Sequence, residues 1–422
     1  MGRTTPLALL LAVTPLVHAT HLSDSLLNRV YNVMNQVSVH SWENGTKAEA
    51  ILEATYPSLS VFSPTDPVPL PSGLSSGQVG QIIDVAQTTM SNRPATNLSA
   101  HGGSRLLNDG AAGDPASLGI TIMIASTATG NAQVNGVSYG DAVNTELNYI
   151  LYDVPRTTAG AISHRADQAQ LWSDSVYMVP PFLAYYGAVN NNQTLIQIAY
   201  QQCSLYRNAL RQSNGLWYHI VDGTGTSDPN PWATGNAWAA AGMLRVWATI
   251  RWSDYASQMS SQMNDLQGWI TEIFDAAQGY TSDGLLRNYI TDSSSFEDTS
   301  GTALFAATGL RLSTLNITNN YVNTSLNMLS ALSTHVNSTG YLTQVVNPND
   351  FTKQGDHSPE GQSFVVMAYA AYKEWDALGR AGAPGGGGGD PLGQSSGARM
   401  RVVSVGMGLV LAFAGIIGWV TI

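Results

Sequence analysis

Apolar residues recur with helical spacing along most of this chain, so its core must be built from packed helices. The spacing predicts twelve helices, at residues 24–38, 46–56, 78–91, 115–129, 139–152, 168–188, 193–212, 233–252, 255–277, 298–313, 319–336 and 360–379. Short connections, such as 187–193 and 313–320, roughly alternate with longer loops. Because a short connection makes an antiparallel hairpin, we expect six hairpins in a ring, an all-α fold of the (α/α)6 toroid class.

The longer loops are rich in Gly, Ser and Asp, and in such a ring they would gather at one end; they lie at 92–114, 153–167, 213–232, 278–297 and 337–359. They contain many of the His, Trp, Arg and Asp residues, and loops on a rigid scaffold commonly carry binding and catalytic groups. An open helical solenoid is the alternative fold, but the sequence shows no repeat of fixed length.

Composition narrows the class of protein. Of the 422 residues 44% are apolar and only 11% are charged, and Ser, Thr, Asn and Gly take many polar positions, as on a secreted glycoprotein. The net charge is −11 and no run of Lys and Arg occurs, which argues against a nucleic-acid partner. Cys203 is the sole cysteine, so it is expected in the core without a disulfide. HExxH and GxxxxGK motifs are absent, and we expect no metal and no other cofactor.

Both ends of the chain have the pattern of processing signals. Residues 1–19 resemble a signal peptide, and 381–401 a Gly/Ser-rich linker with an anchor-attachment region. The apolar tail 402–422 favours a GPI signal over an ordinary membrane anchor. Six Asn-X-Ser/Thr sequons fit the same secretory route. We therefore expect one folded domain at 20–380, on the cell surface, with membrane contact through the C-terminal anchor alone; the oligomeric state stays open.

Asp174 is the first candidate for chemistry, because it lies in the apolar stretch LWSDSVYMVPPFLAYYG of the predicted helix 168–188. Desolvation there would favour the protonated carboxyl, which is the form that a general acid needs. The structural alternative is that Asp174 caps a helix broken by Pro180 and Pro181.

Polar residues in the loops upstream of Asp174 provide candidate ligand contacts. His164 and Arg165 could hold a substrate carboxylate, since Arg presents a forked pair of donors. Asp109 and Asp114 stand just before the fourth predicted helix, where Asp114 followed by Pro is also a good helix start.

Aromatic residues in two further loops have the character of a sugar site. His219 follows Trp217 and Tyr218 in GLWYHIVDG, and Trp232 opens the helix that contains Trp238. Indole faces stack on sugar C–H surfaces while polar groups of the loops take the hydroxyls. Core packing is the alternative explanation for Trp238.

Five segments occur in the order seen in glycoside hydrolase families 88 and 105, the unsaturated glucuronyl and rhamnogalacturonyl hydrolases: LWSDSVYMVPPFLAYYG, GLWYHIVDG, WATGNAWAAAGMLRV, EDTSGTALFAATGLRL and EGQSFVVMAYAAYKEW. The resemblance covers roughly residues 80–380 and is that of a fungal secreted member. It implies an (α/α)6 ring and an extracellular enzyme whose partner is an oligosaccharide that ends in an unsaturated uronic acid, derived from pectin or rhamnogalacturonan.

The reaction implied by this resemblance is hydration of the double bond between carbons 4 and 5 of that sugar. A carboxylic acid protonates carbon 4, water adds at carbon 5, and the resulting hemiketal opens and releases the neighbouring sugar. The family's general acid/base falls on Asp174, and its second active-site Asp falls on Asp114, with Asp109 as the other match. By similarity, the sugar would be lined by His164, Arg165, His219, Trp232 and Trp238.

One position departs from the family pattern. Thr234 stands where the motif W-x-R-G-x-x-W has an arginine, to which the resemblance gives a part in substrate recognition. Its loss could remove about 1.5 to 3 kcal/mol of charged hydrogen bonding, so either Arg165 or another basic residue takes the uronate, or the substrate differs. Two other functions stay open: conventional hydrolysis by a carboxyl pair, and non-catalytic binding of cell-wall carbohydrate.

Overall fold

The computed structural model describes residues 21–382, apart from 64 and 66, and this part of the chain contains twelve α-helices. They are α1 (Asp24–Val37), α2 (Ser41–Thr55), α3 (Gly80–Ser91), α4 (Gly119–Ala128), α5 (Tyr139–Asn148), α6 (Ser175–Val189), α7 (Gln193–Leu210), α8 (Ala233–Trp252), α9 (Ser260–Ala277), α10 (Thr299–Thr314), α11 (Val322–Thr334) and α12 (Pro359–Ala377). The predicted all-α class is confirmed.

Successive helices differ in how they are buried. In α8 every residue from Ala233 to Ile250 is buried, and in α10 the whole helix is. In α9, by contrast, the buried residues Leu266, Ile270, Ile273, Phe274 and Ala277 follow the spacing of a single helix face. The even-numbered helices therefore form an inner ring, and the odd-numbered helices cover it with one apolar face each.

The contacts between helices give the order of the ring. Each even-numbered helix packs against the next, and α12 packs against α2, which closes the circle. A short 3-10 helix, Asp114–Leu118, leads into α4 and fills the space between α2 and α6. The outer helices pack against their sequence neighbours in the inner ring, and α1 packs against α12. This is the (α/α)6 toroid that the sequence predicts.

Two glycines allow the inner helices to approach closely. A Cβ atom on Gly242 of α8 would lie 2.2 Å from the backbone oxygen of Val176 on α6, and one on Gly301 of α10 would lie 2.8 Å from the backbone nitrogen of Thr234 on α8. No side chain fits at such distances, so these glycines set the spacing of three consecutive inner helices.

A buried ionic cluster occupies the interior of the ring. Arg245 of α8 donates to Glu49 of α2 over 2.7 Å and also pairs with Glu53, one helical turn further on. Arg311 of α10 lies 3.1 Å from the other oxygen of Glu53 and pairs with Glu374 of α12. Two guanidinium groups thus link four inner helices where the ring would otherwise need apolar filling.

Four antiparallel pairs of short strands decorate the helices: β1 (Gln133–Val134) with β2 (Val137–Ser138), β3 (Leu171–Trp172) with β4 (Ile220–Val221), β5 (Leu286–Arg287) with β6 (Glu297–Asp298), and β7 (Val345–Asn347) with β8 (Asp350–Gly355). The last three pairs lie in the long loops that lead into α6, α8, α10 and α12. Their mutual contacts gather these loops at the N-terminal ends of the inner helices.

Several helix boundaries differ from the predicted ones. The helix predicted at 168–188 begins only at Ser175, because Leu171 and Trp172 pair with β4 instead. The helix predicted at 46–56 begins earlier, at Ser41, and the one predicted at 255–277 begins later, at Ser260.

The predicted terminal segments lie outside the described residues: the signal peptide 1–19, the linker 381–401 beyond residue 382, and the tail 402–422. Among the residues that are described, no helix combines the length and the apolar character that a membrane span requires. Cys203 is fully buried in α7, as expected, and burial raises the pKa of its thiol.

Candidate active site

A cavity of about 300 Å³ opens where the long loops meet the N-terminal ends of the inner helices. It brings together the seven predicted site residues, which are Asp114, His164, Arg165, Asp174, His219, Trp232 and Trp238. Asp109, the other match for the second carboxyl, lines the same cavity. Its wall also contains residues for which no site role was predicted, notably Trp42, Met178, Phe351 and Glu360. The roles of the seven stay predictions, but their common location is a property of the fold.

The pairing of β3 with β4 places Asp174 in this cavity. Trp172 is paired with Ile220, and the backbone N–H of Ser173 donates to the carbonyl oxygen of His219 over 2.9 Å. Asp174 therefore lies beside His219, with 3.5 Å between its Oδ2 atom and Nε2 of the imidazole.

The carboxyl of Asp174 does not cap a helix. The residue occupies the N-cap position of α6, but its side chain accepts no capping hydrogen bond, and Pro180 and Pro181 lie inside α6 without ending it. Asp174 is 8% exposed, and its Oδ2 atom has no hydrogen-bond partner of ordinary length. The alternative of a purely structural Asp174 is thus not supported, because nothing in α6 uses the carboxyl.

His219 is held on its other side by Asp228, with 3.0 Å between Nδ1 and Oδ2. Asp228 also accepts hydrogen bonds from the Tyr289 hydroxyl, over 2.9 Å, and from the Asn230 amide, over 2.8 Å. Burial alone would lower the pKa of His219, but the carboxylates of Asp174 and Asp228 outweigh it and raise that pKa. Burial likewise opposes ionisation of Asp228, yet its hydrogen bonds, first from His219, lower its pKa. Both shifts favour the charged forms of the pair, an imidazolium and a carboxylate.

Sequence reasoning missed Asp228 because its loop, DGTGTSDPNP, has the composition of an ordinary turn. In the structure this loop folds back, and Ile220 and Asp228 exchange backbone hydrogen bonds of 2.9 and 3.2 Å. Asp222, at the turn, has a positive φ of 63°. The one sequence feature that could have indicated this fold-back is the Gly-rich turn that closely follows His219.

On the opposite wall, Asp114 faces His164, with 3.9 Å between Oδ1 and Nδ1. Asp114 starts the 3-10 helix but makes no capping hydrogen bond with its side chain. Burial, Asp109 and Asp174 together raise its pKa well above the ordinary value, against the opposing effect of Arg165. Burial lowers the pKa of His164 to about 4. Near neutral pH this pair is consequently an uncharged imidazole beside a carboxyl that resists ionisation.

Arg165 is the sole Lys or Arg among the residues that line the cavity. Its side chain is 35% exposed, and its Nε lies 3.3 Å from the exposed Asp167. Asp109, which also faces the cavity, is held by the Ser41 hydroxyl and by the backbone N–H of Ala111. Burial raises the pKa of Asp109. Arg165 thus keeps hydrogen-bond donors available to a ligand, whereas both oxygens of Asp109 already accept hydrogen bonds from the protein.

Aromatic rings enclose His219 and His164. Trp172 stacks on His164 with 4.6 Å between centroids and 20° between planes. Phe351, on β8, meets His219 edge to face at 4.5 Å, and Trp232 lies 4.4 Å from the same imidazole. The indole N–H of Trp232 donates to Asn288 over 2.8 Å, so this ring cannot rotate away. Such walls suit the apolar faces of a sugar.

Trp238 and Thr234 contribute less to the cavity surface. Trp238 lines the cavity but is 2% exposed and packs against Tyr177 and Phe364, so its role in the core is substantial. Thr234 is fully buried, does not line the cavity, and donates its hydroxyl to Asp298 over 3.0 Å. The position at which the family pattern has an arginine is here part of a helix-capping network.

The part of the chain that the structure covers contains no group of three or more His, Cys, Asp or Glu side chains that could hold a metal ion.

A ring of six helical hairpins with carboxyl groups and indoles around one cavity fits the class of glycoside hydrolases. Within that class the chain belongs to Glycosyl Hydrolase Family 88, whose model matches residues 82–373, more than half of the sequence. A comparison with curated proteins finds no match.

Solved structures share the fold at low identity. A possible member of family GH105 from Salmonella enterica has a TM-score of 0.66 and 16% identity over 82% of this chain and 92% of that one. A family 88 glycosyl hydrolase from Bacteroides vulgatus has a TM-score of 0.60 and 15% identity over 82% and 97%. An unsaturated glucuronyl hydrolase from Bacillus sp. GL1, described as responsible for the degradation of glycosaminoglycan, has a TM-score of 0.54 and 13% identity over 83% and 94%.

Proposed function

We propose that this glycoside hydrolase hydrates the double bond between carbons 4 and 5 of an unsaturated uronic acid at the end of an oligosaccharide derived from pectin or rhamnogalacturonan. Membership of family 88 supports the reaction class. The observation that carries the proposal is the carboxyl of Asp174, which is buried, faces the cavity and is not used by the helix that it precedes.

The chemistry needs one proton donor and one water molecule. The Asp174 carboxyl gives its proton to carbon 4, and positive charge develops at carbon 5, where the ring oxygen stabilises it. Water then adds at carbon 5 and returns a proton to the Asp174 carboxylate. The hemiketal so formed opens to a ketone and releases the neighbouring sugar. His219, whose Nε2 lies 3.5 Å from Oδ2 of Asp174, orients the carboxyl and stabilises its anionic form between these steps.

Recognition of the uronate falls to Arg165 in this proposal. Its guanidinium lines the cavity and presents a fork of donors that suits a carboxylate, and Thr234 supplies no charge in place of the family's arginine. Trp172, Trp232 and Phe351 would then stack against the sugar ring. Asp114 is the second active-site carboxyl, and its raised pKa favours the protonated form, which can donate a hydrogen bond.

The test is a screen of oligosaccharides generated by pectin, rhamnogalacturonan and glucuronan lyases. Hydration removes the ultraviolet absorbance of the conjugated double bond, and we expect that absorbance to fall with at least one of these substrates. Asp174→Asn should lower kcat by about 10²- to 10⁴-fold, the usual contribution of a positioned acid/base, while a titration still shows binding. Asp254→Asn, at an exposed carboxyl between α8 and α9, is the control and should keep wild-type kcat.

Other outcomes would point to the alternative functions. Turnover of saturated oligosaccharides with the absorbance retained would indicate conventional hydrolysis and overturn the hydration mechanism. Binding without turnover of any substrate would indicate a carbohydrate-binding protein.

We further propose that the enzyme works outside the cell, attached through a glycolipid at its C-terminal end. Five of the six sequon asparagines are exposed, in agreement with glycosylation along the secretory route: Asn97, Asn192, Asn316, Asn323 and Asn337. Release from cells by a phosphatidylinositol-specific phospholipase would support the glycolipid. Retention after that treatment, with release by detergent alone, would favour an ordinary membrane anchor.

A further inference from the structure

Glu360 is a buried carboxyl in the cavity, and one of its oxygens is used neither by the fold nor by the proposed reaction. It lies in the first turn of α12, is 3% exposed and lines the cavity together with Trp42 and Asp174. Its Oε2 atom is buried and has no hydrogen-bond partner. A buried polar atom without a partner destabilises a fold, so its presence at a cavity wall indicates a ligand.

The helix does not need this carboxyl at its N-terminus. Ser358 caps α12 by accepting from the backbone N–H of Gly361 over 3.0 Å. The neighbouring inner helices provide the contrast, because their buried carboxyls accept hydrogen bonds from backbone N–H groups near the helix start. Glu43 of α2 accepts from the backbone N–H groups of residues 39 and 40, over 2.6 and 2.8 Å.

Asp298, at the start of α10, is engaged even more completely. It accepts hydrogen bonds from three backbone N–H groups and from the Thr234 hydroxyl. Of three carboxyls at the N-terminal ends of adjacent inner helices, Glu360 is thus the one with a buried oxygen that has no hydrogen-bond partner.

The surroundings of Glu360 keep it protonated. Burial raises its pKa to about 8, and the Glu43 and Asp298 carboxylates, on the helices to either side, add to the effect. Hydrogen bonds from its own backbone N–H and from Ser358 oppose the shift without cancelling it. Below about pH 8 this side chain is thus a hydrogen-bond donor.

The excess of acidic groups in the cavity explains why a neutral donor would help an anionic ligand to bind. Four carboxyls line it, Asp109, Asp114, Asp174 and Glu360, against one guanidinium, Arg165, and the imidazole of His219, whose pKa is raised. A uronate that enters brings one more negative charge into a site of low dielectric. Neutral acids remove the repulsion, and an acid that donates to a carboxylate forms a short, charge-assisted hydrogen bond.

We propose that Glu360, as the neutral acid, donates a hydrogen bond to the carboxylate of the bound uronic acid and thereby selects uronates over neutral sugars. This inference rests on the proposed function for the identity of the substrate. It makes Glu360 a specificity-determining residue that acts in binding, separate from the proton transfer assigned to Asp174.

The test uses saturated sugars, so it does not depend on the hydration reaction. Calorimetric titration compares a free uronic acid, galacturonate, with its neutral counterpart, galactose, at pH 6. We expect Glu360→Ala to weaken binding of galacturonate by at least tenfold and binding of galactose by less than twofold. In the wild-type enzyme, binding of galacturonate should weaken by up to tenfold per pH unit above about pH 8, and in Glu360→Gln this alkaline loss should disappear.

Glu146→Gln is the matched control. Glu146 is a fully buried glutamate whose pKa burial also raises to about 8, but it lies outside the cavity wall. Its replacement should alter stability without changing the preference for the uronate. Thermal unfolding between pH 5 and 8 checks that every variant is folded under the titration conditions.

Two results would overturn the inference: equal weakening of both sugars in Glu360→Ala, or uronate binding by the wild-type enzyme that does not change between pH 6 and 9. Failure of the proposed hydration is recognised separately, since the lyase products would then keep their absorbance while the uronate preference could still be measured.

Discussion

The Nδ1 atom of His219 lies 3.0 Å from Oδ2 of Asp228, and neither side chain is more than 5% exposed. The bond fixes the plane of the imidazole, so that Nε2 points toward Asp174 across 3.5 Å. A buried imidazole between two carboxyl groups is an arrangement in which the protonation of each group depends on the others. Asp228 is consequently a positioning residue that acts on Asp174 through His219.

The first prediction is that Asp228→Asn lowers the pKa of His219, because it removes a carboxylate and leaves burial to favour the neutral ring. In the wild-type protein the raised pKa of His219 stabilises the fold below about pH 6.5, and this stabilisation is lost as pH rises through the raised value. The lowered pKa of Asp228 has the opposite pH dependence: it stabilises the fold above about pH 3.8, and this stabilisation is lost as pH falls through the lowered value. NMR titration of the His219 ring measures the shift directly.

A control for this variant is Asp222→Asn, in the same loop. Asp222 is exposed, and its positive φ suits asparagine equally well. The His219 titration should be unchanged there. An unchanged titration in Asp228→Asn as well would show that the carboxylate does not hold the imidazolium.

The second prediction concerns Thr234, whose hydroxyl donates to Asp298 inside the ring. Thr234→Val keeps the shape of the side chain but withdraws one of four hydrogen bonds from a buried carboxyl. We expect the free energy of unfolding to fall by about 1 to 3 kcal/mol, with a change in KM of less than twofold. Urea denaturation and steady-state kinetics measure the two effects. A tenfold rise in KM at unchanged stability would instead place Thr234 in substrate recognition.

Much of the fold could be predicted because each helix produces a pattern of apolar residues that are close together in the sequence. The apolar stripe on α9 and the uninterrupted burial of α8 both follow from residues close together in sequence. The start of α6 could not be predicted in the same way. Leu171 and Trp172 are apolar enough to extend a helix, and only their pairing with β4, in a distant loop, makes them a strand.

The site shows the same division between local and long-range information. Asp174, Trp232 and Arg165 were visible as polar or aromatic residues beside apolar helices. Asp228 was not, because its role exists only once its loop folds back onto Ile220. Glu360 could not be singled out either, because a glutamate in the first turn is common at helix starts; in the structure the cap of α12 is Ser358.

The third prediction tests the ionic cluster inside the ring. Arg245→Met should lower the free energy of unfolding by about 3 to 5 kcal/mol, because Glu49 and Glu53 would stay buried without their cation. Arg251→Met, at an exposed position of the same helix, should leave that free energy nearly unchanged. Equal midpoints of guanidinium denaturation for the two variants would mean that the cluster does not stabilise the fold.

The last prediction concerns the uronate contact of Arg165. Arg165→Gln should raise KM for the unsaturated oligosaccharide by about 10- to 100-fold, since a charged hydrogen bond is worth about 1.5 to 3 kcal/mol, and should change kcat much less. Arg165→Lys keeps the charge but not the fork of donors, so an intermediate KM is expected. Lys353→Gln, which removes a 73% exposed cation from the β7–β8 hairpin beside the cavity, shows how much a nearby charge contributes without contact. If Lys353→Gln raised KM as much as Arg165→Gln, general attraction would explain the effect, and the uronate would have to be held by groups other than this guanidinium.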